Sequence, residues 1–352
     1  MRRIAALSLA SLVVACSLEP EPLPVRFETE HFRYHAAPDR WICPGLAEWL
    51  EHHHAAHAGW LSVMPAGKID YHYLHDLSEV RAACGEPHGA VPSGCVQGSS
   101  VYSWQAFHAH ELIHAYTNAL GGPPPFFREG IAVLLGGGAG GAIDRTLDVE
   151  SFVEASAYRA VMEPEFAQTY GAAGALTRFL VDRHGRDAYL GFYAAMPEDA
   201  SGQQIRGAFE SAFGESLEDA LEAWRAGPDV TEADIRFYLA ECATPALEGP
   251  IAQIATLSCD TLGAVGSLSA IRSFSITERT GMVVGMRASR VSSARIEACT
   301  GGLRPARVLS TFEEADLGTT RELWTDLAAG DYWLYVVADG QGEEESADAC
   351  PT

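Results

Sequence analysis

Basic residues are scarce in this 352-residue chain. Lys and Arg number 24 against 47 Asp and Glu, and the formal net charge is -23 at pH 7. Such an acidic surface repels phosphate backbones and anionic lipid headgroups, which argues against nucleic acid as a partner. Long apolar runs are also missing: no internal window approaches the roughly 20 residues of a transmembrane helix. No internal repeat is visible, and no Gly-x-Ser-x-Gly nucleophile elbow occurs. The glycine run from Gly136 to Gly141 lacks the Lys and Ser/Thr of a phosphate cradle, so it reads as a flexible loop rather than a nucleotide site. Extensive disorder is excluded by composition, 47% hydrophobic and 20% charged. The length suggests two domains.

What is present begins at the N-terminus. Arg2 and Arg3 precede an apolar run from Ile4 to Ala15, the pattern of a secretory signal peptide over residues 1–15. The run ends Val13-Val14-Ala15-Cys16, which resembles a bacterial lipobox. That resemblance implies cleavage before Cys16, a lipid anchor on its thiol and a place in the cell envelope. Residues 16–26, rich in Pro and Glu, read as an extended tether. Eight cysteines agree with an exported, oxidising location. Cys84 and Cys95 flank a Gly/Pro-rich loop and form an expected local disulfide. Cys242, Cys259, Cys299 and Cys350 allow three pairings. Cys43 is left over, or pairs with Cys84 or Cys95.

The hydrophobic pattern predicts a mixed α and β domain over residues 27–240. Strands are expected at the start of 27–40 and over Lys68–Leu74, with an edge strand at Val101–Trp104. Helices are expected over Pro44–Leu61, Leu77–Ala83, Gln105–Leu120 and Phe127–Leu135, and throughout residues 151–225. Ile205, Phe209, Phe213, Leu217, Leu221 and Trp224 form one core-facing stripe. From 243 to 352 the texture changes to short β-branched runs between Gly, Ser and Thr clusters, the pattern of an antiparallel β-sandwich. The stretch Leu327–Val336 reads as a turn into a strand, similar to the closing hairpin of bacterial pre-peptidase C-terminal domains.

The chemistry concentrates at His110-Glu111-Leu112-Ile113-His114, an HExxH motif. On a helix, four residues advance about 400°, so both imidazoles share one face about 6 Å apart along the axis. Their ring nitrogens can converge on one tetrahedral cation, with Glu111 beside them as a general base for water. A catalytic zinc takes three protein ligands and keeps one position open. Glu129 stands fifteen residues beyond His114, in Phe127-Arg128-Glu129-Gly130-Ile131-Ala132, after the turn Gly121-Gly122-Pro123-Pro124-Pro125. A helix hairpin there brings Glu129 back over the HExxH face.

These two blocks resemble the gluzincin metallopeptidases, the thermolysin-like clan and its peptidase-MA-like bacterial branch, over roughly residues 27–226. The resemblance implies an α+β gluzincin fold, with a small sheet before the active helix and a helical bundle after it. It implies Zn2+ held by His110, His114 and Glu129. Peptide bonds of a peptide or protein substrate would be hydrolysed by metal-activated water, with Glu111 as general base. A donor to the developing oxyanion is also needed, and Tyr170, before a helix with small residues near its start, is the candidate, ahead of His184 and Tyr158. One departure stands out. The carboxylate that thermolysin-like enzymes place one turn after the ligand Glu is here Val133, so Asn118 or a backbone carbonyl has to orient a ligand histidine.

Two other readings compete with the peptidase. One is a non-catalytic binding lipoprotein on a peptidase scaffold, with the β domain as its working part. The other is a sequestering metal protein using His52, His53, His54 and His57. That cluster reads more simply as a solvated polar helix face. His108 falls off the ligand face and is not expected to ligate.

Overall fold

Phe32, Tyr34 and Ala36 alternate with Arg33 and His35, and this period of two decides which face of the sheet is buried. A computed structural model describes residues 22–63, 65–85, 93–138, 143–146, 149–150, 166–244, 268–277, 280–287, 291–299, 320–327 and 329–338. The signal peptide, Cys16, Tyr158, Cys259 and Cys350 lie outside them. The chain is mixed α and β.

Five strands form the first sheet: β1 (Val25–Glu28), β2 (Phe32–Ala36), β3 (Ile69–Tyr73), β4 (Gly94–Gln97) and β5 (Ser100–Ser103), in the order β1-β2-β3-β5-β4. The central pairs β2–β3 and β3–β5 are parallel, and the outer pairs are antiparallel. The sheet begins at Val25, so the last residues of the expected tether already belong to it. The expected edge strand is corrected: β5 is interior, because β4, which the pattern did not reveal, pairs along its outer side.

Helices α1 (Gly45–Leu61), α2 (Leu77–Cys84), α3 (Ala109–Thr117) and α4 (Pro125–Gly136) follow the sequence expectation, though α3 is shorter at both ends than Gln105–Leu120. Pro125 starts α4, where a missing N–H costs nothing. Then come α5 (Phe166–His184), α6 (Arg186–Ala195), α7 (Gly202–Phe213), α8 (Leu217–Arg225), α9 (Glu232–Ile235) and α10 (Leu239–Cys242). Ser201 and Gln204 form a reciprocal capping box on α7, and Ser216 caps α8. The predicted stripe is buried at Ile205, Phe209, Leu217, Leu221 and Trp224. Part of the helical prediction, residues 151–165, lies outside the described residues.

The buried sheet face and the helices share one core, from Phe32, Tyr34 and Tyr71 to Leu112, Ile131 and Leu176. Two tyrosines of this face aim the chain toward the next helix. The Tyr34 hydroxyl donates to the Ala106 carbonyl at 2.7 Å and the Tyr71 hydroxyl to the Gln105 carbonyl at 2.9 Å. Their rings stack with centroids 5.1 Å apart. The segment entering α3 is thereby pinned to the sheet.

The C-terminal strands are β6 (Leu268–Ile276), β7 (Thr280–Arg287), β8 (Val291–Ala298), β9 (Thr320–Leu327) and β10 (Gly330–Ala338). They form a three-stranded sheet β6-β10-β8 and a pair β7-β9, all antiparallel. β9 and β10 belong to different sheets, so Leu327–Val336 is not the paired hairpin expected from sequence. β6 and β10 dock on α1 and α10 through Trp49, Tyr238, Ile271 and Trp333. A disulfide between Cys242 and Cys299 ties the two parts together. Cys84–Cys95 is the expected local bridge, so Cys43 pairs with neither, and it is itself disulfide-bonded. These bonds fit an oxidising, exported compartment. Among the described residues, no helix is long and apolar enough to cross a membrane.

The histidines of α1 are not a solvated face. His53, His54 and His57 are each at most 2% exposed, packed against α3 and α4. His53 Nδ1 lies 3.3 Å from the Tyr116 hydroxyl, and His57 Nε2 lies 3.3 Å from the Leu135 carbonyl. His52 Nε2 lies 2.7 Å from the Ala240 carbonyl. Burial holds His53 well below its ordinary range and His57 at about 4. The unfolded chain binds these protons near pH 6.5 and the fold does not, so stability is full above that pH and declines as pH falls toward 4. For His57 alone, about 1.4 kcal/mol per pH unit gives about 3 kcal/mol. The urea midpoint is expected to fall between pH 7 and pH 4.5, less steeply in His57→Gln. A midpoint constant over that range would refute the effect.

Candidate metal centre

The helical period puts His110 and His114 on one face of α3, and the α3–α4 hairpin supplies the third group. His110 Nε2 lies 3.1 Å from Glu129 Oε2, His114 Nε2 lies 3.3 Å from the same oxygen, and the two nitrogens are 3.2 Å apart. All three side chains are at most 13% exposed. Among the described residues this is the group that could hold a metal ion. The α1 histidines do not form a second one.

The protonation pattern supports the same conclusion. His110 Nδ1 lies 2.9 Å from the Gly137 carbonyl, an acceptor only, so Nδ1 carries the hydrogen and donates it. Nε2 then turns toward a carboxylate oxygen and the second Nε2, and without a metal a proton on it bonds that carboxylate. Converging lone pairs repel unless a positive charge sits among them. Burial disfavours a charged His110, yet the hydrogen bond and charge of Glu129 raise it to about 9. Burial likewise opposes ionisation of Glu129, but the His114 charge and the hydrogen bonds from both histidines hold its carboxyl well below the usual range. The three groups could hold a cation.

The Gly137 carbonyl answers the missing carboxylate. It is the backbone alternative, while the Asn118 amide instead donates to the Gly98 carbonyl at 2.9 Å. Val133 is fully buried where α4 meets Gly174 of α5. Gly136 makes the orientation possible. A Cβ there would lie 2.7 Å from the backbone N and Cα of His110, so only glycine lets the end of α4 cross the start of α3 closely enough. The first residues of the expected flexible loop are therefore part of the site.

Glu111 is buried beside the metal group without joining it. Burial pushes its carboxyl up, against the pull of His114 and His110. Gly94 of β4 accommodates it: a Cβ there would come within 2.7 Å of both Glu111 Cγ and His108 Nδ1. No sequence signal marked Gly94, because the contact joins residues seventeen apart across a sheet edge. His108 is held by Ser103, with Nδ1 3.0 Å from its hydroxyl, and stands outside the ligand set as expected. Tyr170, in α5, brings its ring centroid to 5.5 Å from that of His110. His184 lies elsewhere, 2.7 Å from Glu215 and packed on Phe213.

Compared with models of known protein families the chain matches none, and compared with curated proteins it finds no match.

Proposed function

We propose that this protein is a zinc-dependent peptidase of the gluzincin type, exported and anchored to the cell envelope through Cys16. The C-terminal strands would form an accessory β-sandwich. The observation that carries the reading is the triangle of ligand atoms with edges of 3.1, 3.2 and 3.3 Å. Ligands about 2.1 Å from a tetrahedral zinc are separated by about 3.4 Å, so two imidazoles and one carboxylate stand close to three corners of that tetrahedron. The donor set, two histidines and a glutamate, is one of those that catalytic zinc sites use when the fourth position is kept for chemistry.

Zinc bound there supplies Lewis acidity, polarising a scissile carbonyl and easing deprotonation of water. The chain's own groups do the rest. Glu111 takes a proton from the attacking water and passes it to the leaving amine; its raised carboxyl pKa suits both roles. Tyr170 donates a hydrogen bond to the oxyanion developing on the substrate. Gly137 holds the His110 ring in the tautomer that presents Nε2.

The test is cleavage of an unfolded protein such as casein by the purified chain. Activity is expected to vanish with a chelator and to return with one equivalent of zinc. A zinc-loaded chain that cleaves neither casein nor a diverse peptide library would overturn the reading.

A further inference from the structure

A cavity of about 320 Å³ lies beside His110, lined by residues from the α1–α10 end of the helical part and from the C-terminal strands. Trp49, Phe107, Ile271 of β6 and Trp333 of β10 are among its lining residues. Arg236 and Glu241 contribute an ion pair, Nη2 to Oε1 2.9 Å, to its lining. His110 and the backbone at Gly136–Gly138 form a wall shared with the metal group. Glu111, His114, Glu129 and Tyr170 are not among the residues that line it.

We propose that this cavity is a binding site for a phenyl- or indole-sized group carrying a neutral polar end, such as an uncharged aromatic amide. The size fits: an apolar cavity of about 150 Å³ already accepts benzene, leaving room here for a ring and a short extension. The walls fit as well: Trp49, Phe107, Trp333 and Ile271 favour an apolar ring, while Gln105, His108, Arg236 and Glu241 make nearly half of the lining polar and leave a place for a polar end. The ion pair selects the polar end. Glu241 is 8% exposed and already compensates Arg236, whose guanidinium lies over the Tyr238 ring at 4.8 Å. A charged ligand would compete with a pair that is already matched, whereas an amide can donate to the carboxylate while leaving the pair intact. Because Ile271 and Trp333 belong to the C-terminal strands, the site exists only while those strands are docked. Neither zinc nor peptide hydrolysis enters this inference.

The test uses 3-phenylpropionamide as probe, with 3-phenylpropionate and propionamide as controls, titrated by calorimetry into the full chain with and without zinc. Saturable one-to-one binding of 3-phenylpropionamide is expected in both states. The carboxylate and the ring-free amide should bind at least about tenfold more weakly, the cost of about 1.4 kcal/mol. Ile271→Trp, which fills the cavity from the strand side, should weaken binding by about tenfold or more. Phe107→Trp, which fills it from a lining residue outside the strands, should do the same and covers the case in which the first variant disturbs strand docking, judged by near-UV circular dichroism. Glu111→Gln should bind the probe as the parent does. Absence of saturable binding, or binding unchanged in folded Ile271→Trp and Phe107→Trp, would overturn the proposal whatever the outcome with casein.

Discussion

Glu111→Gln is expected to keep one metal per chain and to lower kcat/KM for a peptide substrate by about 10²–10⁴-fold, the usual worth of a positioned general base. The reason is geometric. Glu111 lies next to the ligand His110 in sequence, yet the metal group is completed by Glu129 instead. Glutamine has the same shape, so it fits the space that Gly94 leaves, but it cannot accept and release a proton. Burial already opposes the charged carboxylate, so a neutral amide should not destabilise the fold. Metal analysis and steady-state kinetics on the same preparation decide the matter. An unchanged rate with metal retained would remove Glu111 from the mechanism. Lost metal would show that Glu111 supports the site rather than the reaction.

Glu129→Ala is expected to weaken zinc binding by at least about 100-fold, beyond the 10–100-fold typical of losing a group that only supports a ligand. Two imidazoles at 3.2 Å would remain, without the carboxylate that balances a dication. The loss can also be followed without any activity. A ligand at 100 times its Kd stabilises a fold by about 2.7 kcal/mol, so zinc should raise the Tm of the parent chain and leave that of the variant nearly unmoved. Zinc binding indifferent to Glu129 would dismantle the three-ligand site and favour a binding protein on this scaffold.

The two halves of the metal group differ in how far they can be read from sequence. The HExxH spacing is a statement about one helix: its period places His110 and His114 on a common face whatever surrounds them. The role of Glu129 depends on a hairpin between two helices. The glycine and proline turn signals the hairpin, but its angle is decided by packing, above all by Gly136 against the backbone of His110. The orienting Gly137 carbonyl is further removed still, since any residue has a carbonyl and no side-chain pattern marks the one that will be used. The α1 histidines depart from the sequence expectation for a similar reason. Four histidines on a helix look polar, and only the packing of α3 and α4 over them makes that face part of the core.

By itself, the sequence determined the acidic, cysteine-bearing character, the main helices and strands, and the paired histidines with Glu111 between them. Each of these follows from composition or from a period within one element. The tertiary structure alone decided that β5 is interior, that β9 and β10 part into different sheets, and that Glu129 reaches the histidines. It also decided that Trp333 and Ile271 line a cavity together with His110. These features join residues far apart in the chain, and a contact across elements depends on how whole faces pack, which local periodicity does not encode.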